Sequence, residues 1–297
     1  MFKRTITYLN EMFPLASVIS GFLLAVAYHL ALLFLNRADF ALPLSFYCSA
    51  ATLVLLTLLL RIMDEFKDYE DDLTNFPDRP LPSGKVQHAD LRTLMTLVIL
   101  AIVALNLIDQ EMLVGAVVCL VFSWLMFKWF FMEQVMRRSL PLALVTHHPI
   151  VYLQYLYLTL AYISSGQPFE PITAAICIPM GFAVTNWEFS RKLRSPDEES
   201  DYTTYTKIWG LKPAAAVTIS TQLITLVGLE IYLYYTSTPI WYSVAFALCY
   251  VGLMLPYFRF FHTARHALPM KDYSQRMALF VLLTILIHYG LFHTRVG

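Results

Sequence analysis

Long apolar stretches alternate with short polar ones along almost the whole chain. Nine stretches reach roughly 20 residues, the length that a helix needs to cross about 30 Å of hydrocarbon. Only helices and closed barrels satisfy the backbone hydrogen bonds in lipid, and stretches this continuously apolar are typical of helices. They lie near 14–35, 41–63, 89–108, 112–132, 140–162, 170–192, 213–235, 239–261 and 273–293. The pattern predicts an all-α integral membrane protein, a bundle of nine transmembrane helices in a single domain over residues 1–297.

Composition agrees with this prediction. The chain is 58% hydrophobic and 14% charged, and its mean hydropathy is +0.58, which excludes an ordinary soluble domain. Each cysteine lies alone inside an apolar stretch, so local spacing builds neither a disulfide framework nor a CxxC metal site. The cysteines are Cys48, Cys119, Cys177 and Cys249.

The cations are distributed unevenly about the predicted spans. If the nine helices alternate in direction, all but Arg37 and Arg295 of the 21 Lys and Arg residues fall on the side of the N-terminus. Cytoplasmic loops carry such an excess of cations. We therefore expect the N-terminus and the long loops 64–88, 193–212 and 262–272 to be cytoplasmic. Membrane lipids surround such a chain, and we expect no nucleic acid and no protein partner.

A dense run of charge, residues 61–84, directly follows the second apolar stretch. On a helix, Asp64, Asp68 and Asp72 lie at i, i+4 and i+8, so their carboxylates share one face and diverge by about 40° per step. Like charges at this spacing repel one another. A hard divalent cation with a phosphate behind it would offset the repulsion. The alternative is a solvated loop between two membrane helices.

The residues of this run resemble the first motif of the UbiA superfamily of intramembrane prenyltransferases. That motif reads Asn-Asp-x-x-Asp-x-x-x-Asp and is followed by Arg-Pro-Leu-Pro-Ser-Gly. Here Asp64, Glu65, Asp68 and Asp72 stand at the four acidic-motif positions, and residues 79–84 read Arg-Pro-Leu-Pro-Ser-Gly. The chain departs from the family at the first two positions, where Asp and Glu replace Asn and Asp.

A second motif of the family, Asp-x-x-x-Asp-x-x-x-Asp, is expected at the end of the sixth helix. Glu188 stands at its first position, but Lys192 and Pro196 follow at the next two. The acids 197–199 are candidates to take over part of the role, although Pro196 should end or kink the helix before them. Otherwise Glu188 is a polar helix end at the interface. The two acidic loops lie four helices apart, which suggests two related halves with a site between them.

The resemblance implies a Mg²⁺ cofactor held by carboxylates of both motifs. One ion would be held by the first motif, and another by Glu188 with one of the acids 197–199. The expected metal ligands are Asp64, Glu65, Asp68, Asp72, Glu188 and Asp197.

The resemblance also implies cations that bind a diphosphate and side chains that assist its departure. The expected diphosphate-binding residues are Arg79, Lys85, Arg137, Arg138 and Lys192, and the expected catalytic residues are Asp68, Asp72, Glu188 and Lys192. Positive-inside topology by itself also explains the pair Arg137 and Arg138. His147 and His148 are open to three interpretations: phosphate ligands, acids at the acceptor site, or helix-packing residues.

The implied reaction is the transfer of an isoprenyl group from an isoprenyl diphosphate to a lipophilic acceptor, such as an aromatic ring, inside the membrane. Two alternatives stay open. One is a terpene cyclase of the same superfamily, which ionises the diphosphate and lets the double bonds of the tail quench the cation. The other is a non-catalytic membrane scaffold, for which the degraded second motif is the only support.

Overall fold

The computed structural model describes residues 1–199 and 203–293. Within these ranges the chain forms helices and no strands. The α-helices are α1 Phe2–Met12, α2 Leu15–Leu35, α3 Leu44–Lys67, α4 Tyr69–Asn75, α5 His88–Asn106, α6 Gln110–Phe127, α7 Glu133–Arg137, α8 Leu140–His147, α9 Pro149–Ser164, α10 Cys177–Ser190, α11 Tyr205–Trp209, α12 Leu211–Tyr235, α13 Ile240–Thr263 and α14 Met270–Phe292. Short 3₁₀ turns occupy Trp129–Phe131, Pro171–Ile176 and Pro196–Glu198.

Eight of the described helical segments are long and apolar enough to span a membrane. The predicted all-α integral membrane fold is therefore confirmed. The remaining predicted span, 140–162, is divided into α8 and α9 at His148. Pro149 begins α9 and has no N–H to continue the hydrogen bonds of α8, which explains the break. Counted together, α8 and α9 supply the ninth apolar segment.

Several predicted boundaries differ from those of the structure. The second predicted span, 41–63, corresponds to α3. This helix starts after Pro43 and continues to Lys67 instead of ending at residue 63. The predicted helix 170–192 ends as an α-helix at Ser190, so Lys192 lies beyond it. There the hydrogen bonds tighten to i→i−3, with Lys192 N donating to Phe189 O at 3.0 Å. Such a tightened turn is a common way for a helix to end.

The chain divides into two compact units. The first comprises Met1–His29 and Phe40–Gln167. In it α3, α5, α6 and α9 pack against one another. Three buried polar side chains link α3, α5 and α9: Asn106 donates to Thr52 Oγ1 at 2.9 Å and accepts from the Tyr157 hydroxyl at 2.7 Å. Polar groups away from water need such partners, and this network satisfies them between helices.

The second unit comprises Leu30–Asp39 and Pro168–Gly297. Its core is formed by α10, α12, α13 and α14. Asn186 of α10 donates to Thr218 O and Thr221 Oγ1 of α12, both at 3.1 Å. His288 of α14 contacts the Tyr232 hydroxyl at 2.9 Å. Arg295, which the charge pattern places on the exterior side, lies outside the described residues.

Large apolar side chains cover the outward faces of the spanning helices. In a soluble protein such exposed apolar surface would be a liability, whereas hydrocarbon is its natural surrounding here. Examples are Leu97 and Leu100 on α5, and Val227, Leu248 and Leu255 on α12 and α13.

Candidate functional site

The first acidic segment begins at the joint between α3 and α4. Asp68 occupies this joint with φ −101° and ψ 10°, so the α-helix is interrupted at one residue. The i→i−4 hydrogen bonds nevertheless continue across it, from Asp68 N to Asp64 O and from Asp72 N to Asp68 O, both at 2.8 Å. The helical spacing of the three aspartates therefore persists through the interruption.

Residues 79–84 form a tight loop after α4. Backbone bonds join Ser83 N to Arg79 O at 3.0 Å and Gly84 N to Leu81 O at 3.1 Å, and Gly84 has a φ of +75°. Leu81 is buried, which anchors the loop to the first unit. The result is that Arg79 reaches back to α4, where its Nη1 donates to both carboxylate oxygens of Asp72 at 2.7 and 2.6 Å.

Glu65 is the most buried carboxylate of the segment. Its side chain is 1% exposed, and Oε1 accepts a hydrogen bond from Arg61 Nη2 at 2.5 Å. The second oxygen, Oε2, is buried and has no hydrogen-bond partner among the described residues. Thus Glu65 and Asp72 each already face an arginine.

Asp64 and Asp68 differ from these two acids because no arginine of the described ranges forms an ion pair with them. Asp64 is 47% exposed, and the ammonium of Lys67 lies 3.6 Å from its Oδ1. Asp68 is half-buried. Burial, and then the neighbouring charge of Asp64, raises the pKa of Asp68 to about 6. The two carboxylates share the single ammonium of Lys67, so this pair keeps a surplus of negative charge.

The other predicted phosphate-binding cations of the first unit lie in different surroundings. Arg137 donates to Asp71 Oδ2 and Glu133 Oε1, both at 2.8 Å. Arg138 is exposed. Lys85 is also exposed and pairs with Glu11 of α1 at 3.1 Å. Arg137 therefore lies against the acidic segment, whereas Lys85 ties the loop to the N-terminal helix.

Lys67 was not among the predicted site residues, yet it is part of the acidic segment. Its ammonium lies 3.2 Å from Nε2 of His147 and 4.3 Å from the ring centre of Trp129. Its spacing of three residues from Asp64 was a usable signal, since residues at i and i+3 share a helix face. No sequence signal connects it to His147 or Trp129.

The second acidic segment, in the second unit, is arranged differently. Glu188 accepts two hydrogen bonds from Arg191, at 2.6 and 2.8 Å, and Lys192 Nζ lies 3.8 Å from it. The side chain of Lys192 is nearly buried, and its ammonium lies 6.0 Å from the ring of Tyr205. Both cations directly follow α10, in the turn that ends it. The charge of Glu188 is thus balanced locally.

The acids after Pro196 contribute mainly to the fold of their loop. Glu198 accepts from Ser195 N at 3.1 Å and contacts His266 Nε2 at 2.8 Å. Glu199 accepts hydrogen bonds from Thr204 and Thr206. Asp197 is exposed within the 3₁₀ turn.

A divalent cation fits the first segment better than the second. Within residues 1–199 and 203–293 no three His, Cys, Asp or Glu side chains form a metal-binding group. Mg²⁺ does not need such a group, because it is commonly held by one or two carboxylates together with substrate phosphates and water. Asp64 and Asp68 match this requirement. Glu188 does not, because the two bonds from Arg191 occupy its oxygens.

Helices and apolar surface define a multi-pass helical membrane protein. A scan against protein-family models finds no match, and a search of curated proteins finds none either. Two solved structures are similar. One is of a digeranylgeranylglyceryl phosphate synthase, with a TM-score of 0.66 and 14% identity over 97% of this chain and 99% of that one. The other is a UbiA homolog from Aeropyrum pernix K1 in its apo form, with a TM-score of 0.64 and 14% identity over 90% of this chain and 97% of that one.

The chain has the UbiA fold. The resemblance to this superfamily that residues 64–84 predicted is confirmed at the level of the fold. At 14% identity the likeness concerns the course of the backbone. A shared fold does not establish a shared reaction, so the function has to be argued from the site.

Proposed function

We propose that this protein is a Mg²⁺-dependent intramembrane prenyltransferase, which moves an isoprenyl group from an isoprenyl diphosphate to a lipophilic acceptor. The main observation that supports this proposal is the pair Asp64 and Asp68 at the end of a membrane helix in a UbiA fold. In the described part of the chain no arginine pairs with these two acids, although Arg79 and Arg61 face the neighbouring Asp72 and Glu65. A carboxylate pair in this position has a surplus of negative charge that a cation would neutralise.

Each residue of the segment has a distinct part in this proposal. Asp64 and Asp68 supply oxygens to the metal. Mg²⁺, when bound, offsets the charge that develops on the departing diphosphate. Asp72 and Glu65 hold their arginines in place, and Asp72 thereby fixes the loop that carries Arg79. Arg137, which already lies against Asp71, is a phosphate-binding cation.

In the second unit we assign Glu188 a role that differs from metal binding. It orients Arg191 through two hydrogen bonds, and Lys192 is a phosphate-binding cation. The apolar helices hold the isoprenoid tail and exclude water from the carbocation. We place the acidic segments on the cytoplasmic side, which the distribution of cations supports.

The reaction is tested with the purified protein in lipid nanodiscs. It is incubated with Mg²⁺ and a panel of isoprenyl diphosphates, with and without a lipid extract as the source of acceptor, and the organic phase is analysed by mass spectrometry. Geranylgeranyl diphosphate belongs in the panel because one similar structure is a digeranylgeranylglyceryl phosphate synthase. A matched sample with EDTA measures the metal dependence.

A prenylated product that requires both Mg²⁺ and the lipid extract supports the transferase. A cyclic hydrocarbon or alcohol formed without any acceptor would identify the cyclase instead. Substrate that stays unchanged under all conditions, in a protein that is folded by circular dichroism, would leave only a scaffold.

Orientation is tested by cysteine labelling in sealed vesicles. The background variant has Cys48, Cys119, Cys177 and Cys249 replaced by serine or alanine. A membrane-impermeant reagent added outside is expected to label Ser165→Cys, between α9 and the 3₁₀ turn, and not Ser83→Cys. Labelling of Ser83→Cys from the exterior would overturn the orientation.

A further inference from the structure

Three consecutive aromatic residues after α6 have a left-handed backbone. The φ angles of Trp129, Phe130 and Phe131 are 51°, 51° and 59°. For L-residues this conformation costs roughly 1–2 kcal/mol each, and large side chains adopt it rarely. Such a turn persists only where the contacts of its side chains compensate for the strain.

The ring of Trp129 contacts two cations, Lys67 of the acidic segment and Arg137 of α7. The Lys67 ammonium lies 4.3 Å from the ring centre, and the Arg137 guanidinium lies 5.1 Å from it. The face of an indole ring attracts cations at these distances. Both Trp129 and Phe130 also contact the ring of His147, with centroids 5.7 Å apart in each pair. The strained turn therefore fixes the surroundings of Lys67.

Lys67 is enclosed, but a carboxylate neutralises it only loosely. Its side chain is 9% exposed, and its ion pair with Asp64 has an N–O distance of 3.6 Å. The other ion pairs of the segment are closer, at 2.6 Å for Arg79 with Asp72 and 2.8 Å for Arg137 with Asp71. His147 accepts from Lys67 at 3.2 Å without adding a formal negative charge, because an imidazole that accepts is neutral. An ammonium in these surroundings can bind a further anion.

We propose that Lys67, held in place by Trp129 and His147, binds the diphosphate of the substrate at the first acidic segment. This inference rests on the proposed function and adds to it a residue that the family motif does not contain. A diphosphate oxygen replaces Asp64 at the ammonium, which leaves Asp64 available to the metal ion. Trp129 and His147 keep the ammonium at the segment while its anionic partner changes.

The surroundings of Lys85 explain why it is the weaker candidate. Its side chain is 48% exposed and lies on the surface with Glu11. Binding an anion gives a flexible, hydrated ammonium little favourable free energy. An enclosed ammonium gains more binding free energy, because less water screens the contact. Lys67 also lies within the acidic segment itself, three residues from Asp64 and next to Asp68.

The test measures direct binding of inorganic pyrophosphate with Mg²⁺ to the full-length protein in detergent, by isothermal titration calorimetry. Lys67→Met keeps the apolar stem and removes the charge. We expect it to weaken pyrophosphate binding by about 10-fold or more, as for loss of a charge-assisted contact. Lys128→Met is the matched control, because Lys128 is exposed beside the same turn. It is expected to bind like the parent.

Trp129→Leu provides a second variant that leaves every charge in place. We expect it to weaken binding by about 3-fold or more, as for loss of a cation–π contact. Phe131→Leu changes the same turn at a side chain that is 70% exposed and is expected to have no effect. A melting temperature for each variant separates loss of binding from loss of fold.

The possible outcomes distinguish this inference from the proposed function. If the parent protein does not bind pyrophosphate with Mg²⁺ at all, the proposed function fails. If the parent binds and folded Lys67→Met binds equally well, the assignment of Lys67 is wrong. A loss in Lys85→Met without a loss in Lys67→Met would return the role to Lys85. Should Lys67→Met not fold, unchanged binding in Trp129→Leu overturns the role of the turn.

Discussion

The two acidic segments contain the same kinds of residue but balance their charge in opposite ways. In the first, Arg79 and Arg137 bind Asp72 and Asp71, and no arginine of the described ranges pairs with Asp64 or Asp68. In the second, Glu188 has Arg191 and Lys192 within four residues of itself. Local charge balance, more than the number of acids, therefore decides whether a segment is suited to a cation.

The origin of the cations explains the difference. Arg79 and Arg137 are 7 and 66 residues away from the acids they bind, so the fold chooses which aspartates they neutralise. Arg191 lies three residues after Glu188, at a spacing where helix geometry alone makes the contact. In the first segment, tertiary structure therefore determines which aspartates pair with an arginine. In the second, the end of the helix itself supplies the cations that balance Glu188.

The largest expected difference between the segments is in catalysis. We expect Asp68→Ala to reduce Mg²⁺-dependent turnover by at least about 100-fold, the order for a group that positions catalytic charge. Glu188→Gln should reduce it by less than about 10-fold, because its charge is already balanced by Arg191. Initial rates at saturating Mg²⁺ test both.

Glu70→Ala is the control for this experiment, since Glu70 is an exposed acid of the same segment. Its turnover should equal that of the parent. Equal losses in Asp68→Ala and Glu188→Gln would contradict the distinction between the two segments.

A second difference should appear in stability. Arg79→Ala leaves the carboxylate of Asp72, 6% exposed, buried without its cation. We expect a cost of about 2 kcal/mol, below the ~3–5 kcal/mol of a fully buried pair because Arg79 is partly exposed. Arg191→Ala should cost about 0.5 kcal/mol, since that pair is more accessible and Lys192 stays nearby. Thermal unfolding in detergent measures both.

The double variant Arg79→Ala/Asp72→Asn extends this experiment. Removing the unpaired charge should restore much of the lost stability, because a neutral amide costs less to bury than a carboxylate. If the melting temperature of Arg79→Ala is not lower than that of Arg191→Ala, the deeper burial of the pair Arg79 and Asp72 has no effect on stability.

The surplus charge of the first segment predicts a pH effect in the absence of divalent metal. The folded-state pKa of Asp68, about 6, lies above the usual value for aspartate. The folded protein therefore binds this proton more tightly than the unfolded chain, and stability falls as pH rises from about 4 to 6. Asp68→Asn should be more stable than the parent by about 1–2 kcal/mol at pH 8 and similar to it near pH 4.

Melting temperatures across pH 4–8 in EDTA measure this effect. Glu188→Gln is the comparison, because it removes a carboxylate that two cations face and should lower stability at pH 8. A parent and an Asp68→Asn variant with the same melting temperature at pH 8 would show that Asp68 does not carry surplus charge.

The smallest expected effect concerns the turn that delivers Arg79 to Asp72. Gly84 has a φ of +75°, so Gly84→Ala should cost about 1 kcal/mol, although among the described residues only Gly84 and its two chain neighbours have atoms within 4 Å of the added carbon. Gly252→Ala, in open space within α13, should be neutral or slightly stabilising. Thermal unfolding of the two variants compares them, and equal stability would remove the conformational argument for Gly84.

The membrane fold and much of the first segment follow from the sequence alone. Apolar stretches of spanning length leave the backbone no alternative to a helix in lipid, so composition along the chain predicts the spans. The spacing of Asp64, Asp68 and Asp72 and the Arg-Pro-Leu-Pro-Ser-Gly loop are sufficient to predict the acidic face. The contact between Glu188 and Arg191 at i and i+3 is also a local property of a helix, although the resemblance led us to expect a metal ligand at Glu188.

The pairing of these charges depends instead on how the helices pack. Lys67 meets His147 80 residues further along the chain, and Arg137 meets Asp71 66 residues away. The left-handed turn at Trp129–Phe131 contradicts the local preference of its residues, so no propensity could predict it. Local spacing determines the contacts within one helix. Packing between helices determines which charged side chains pair with each other, and therefore which carboxylates keep an unbalanced negative charge.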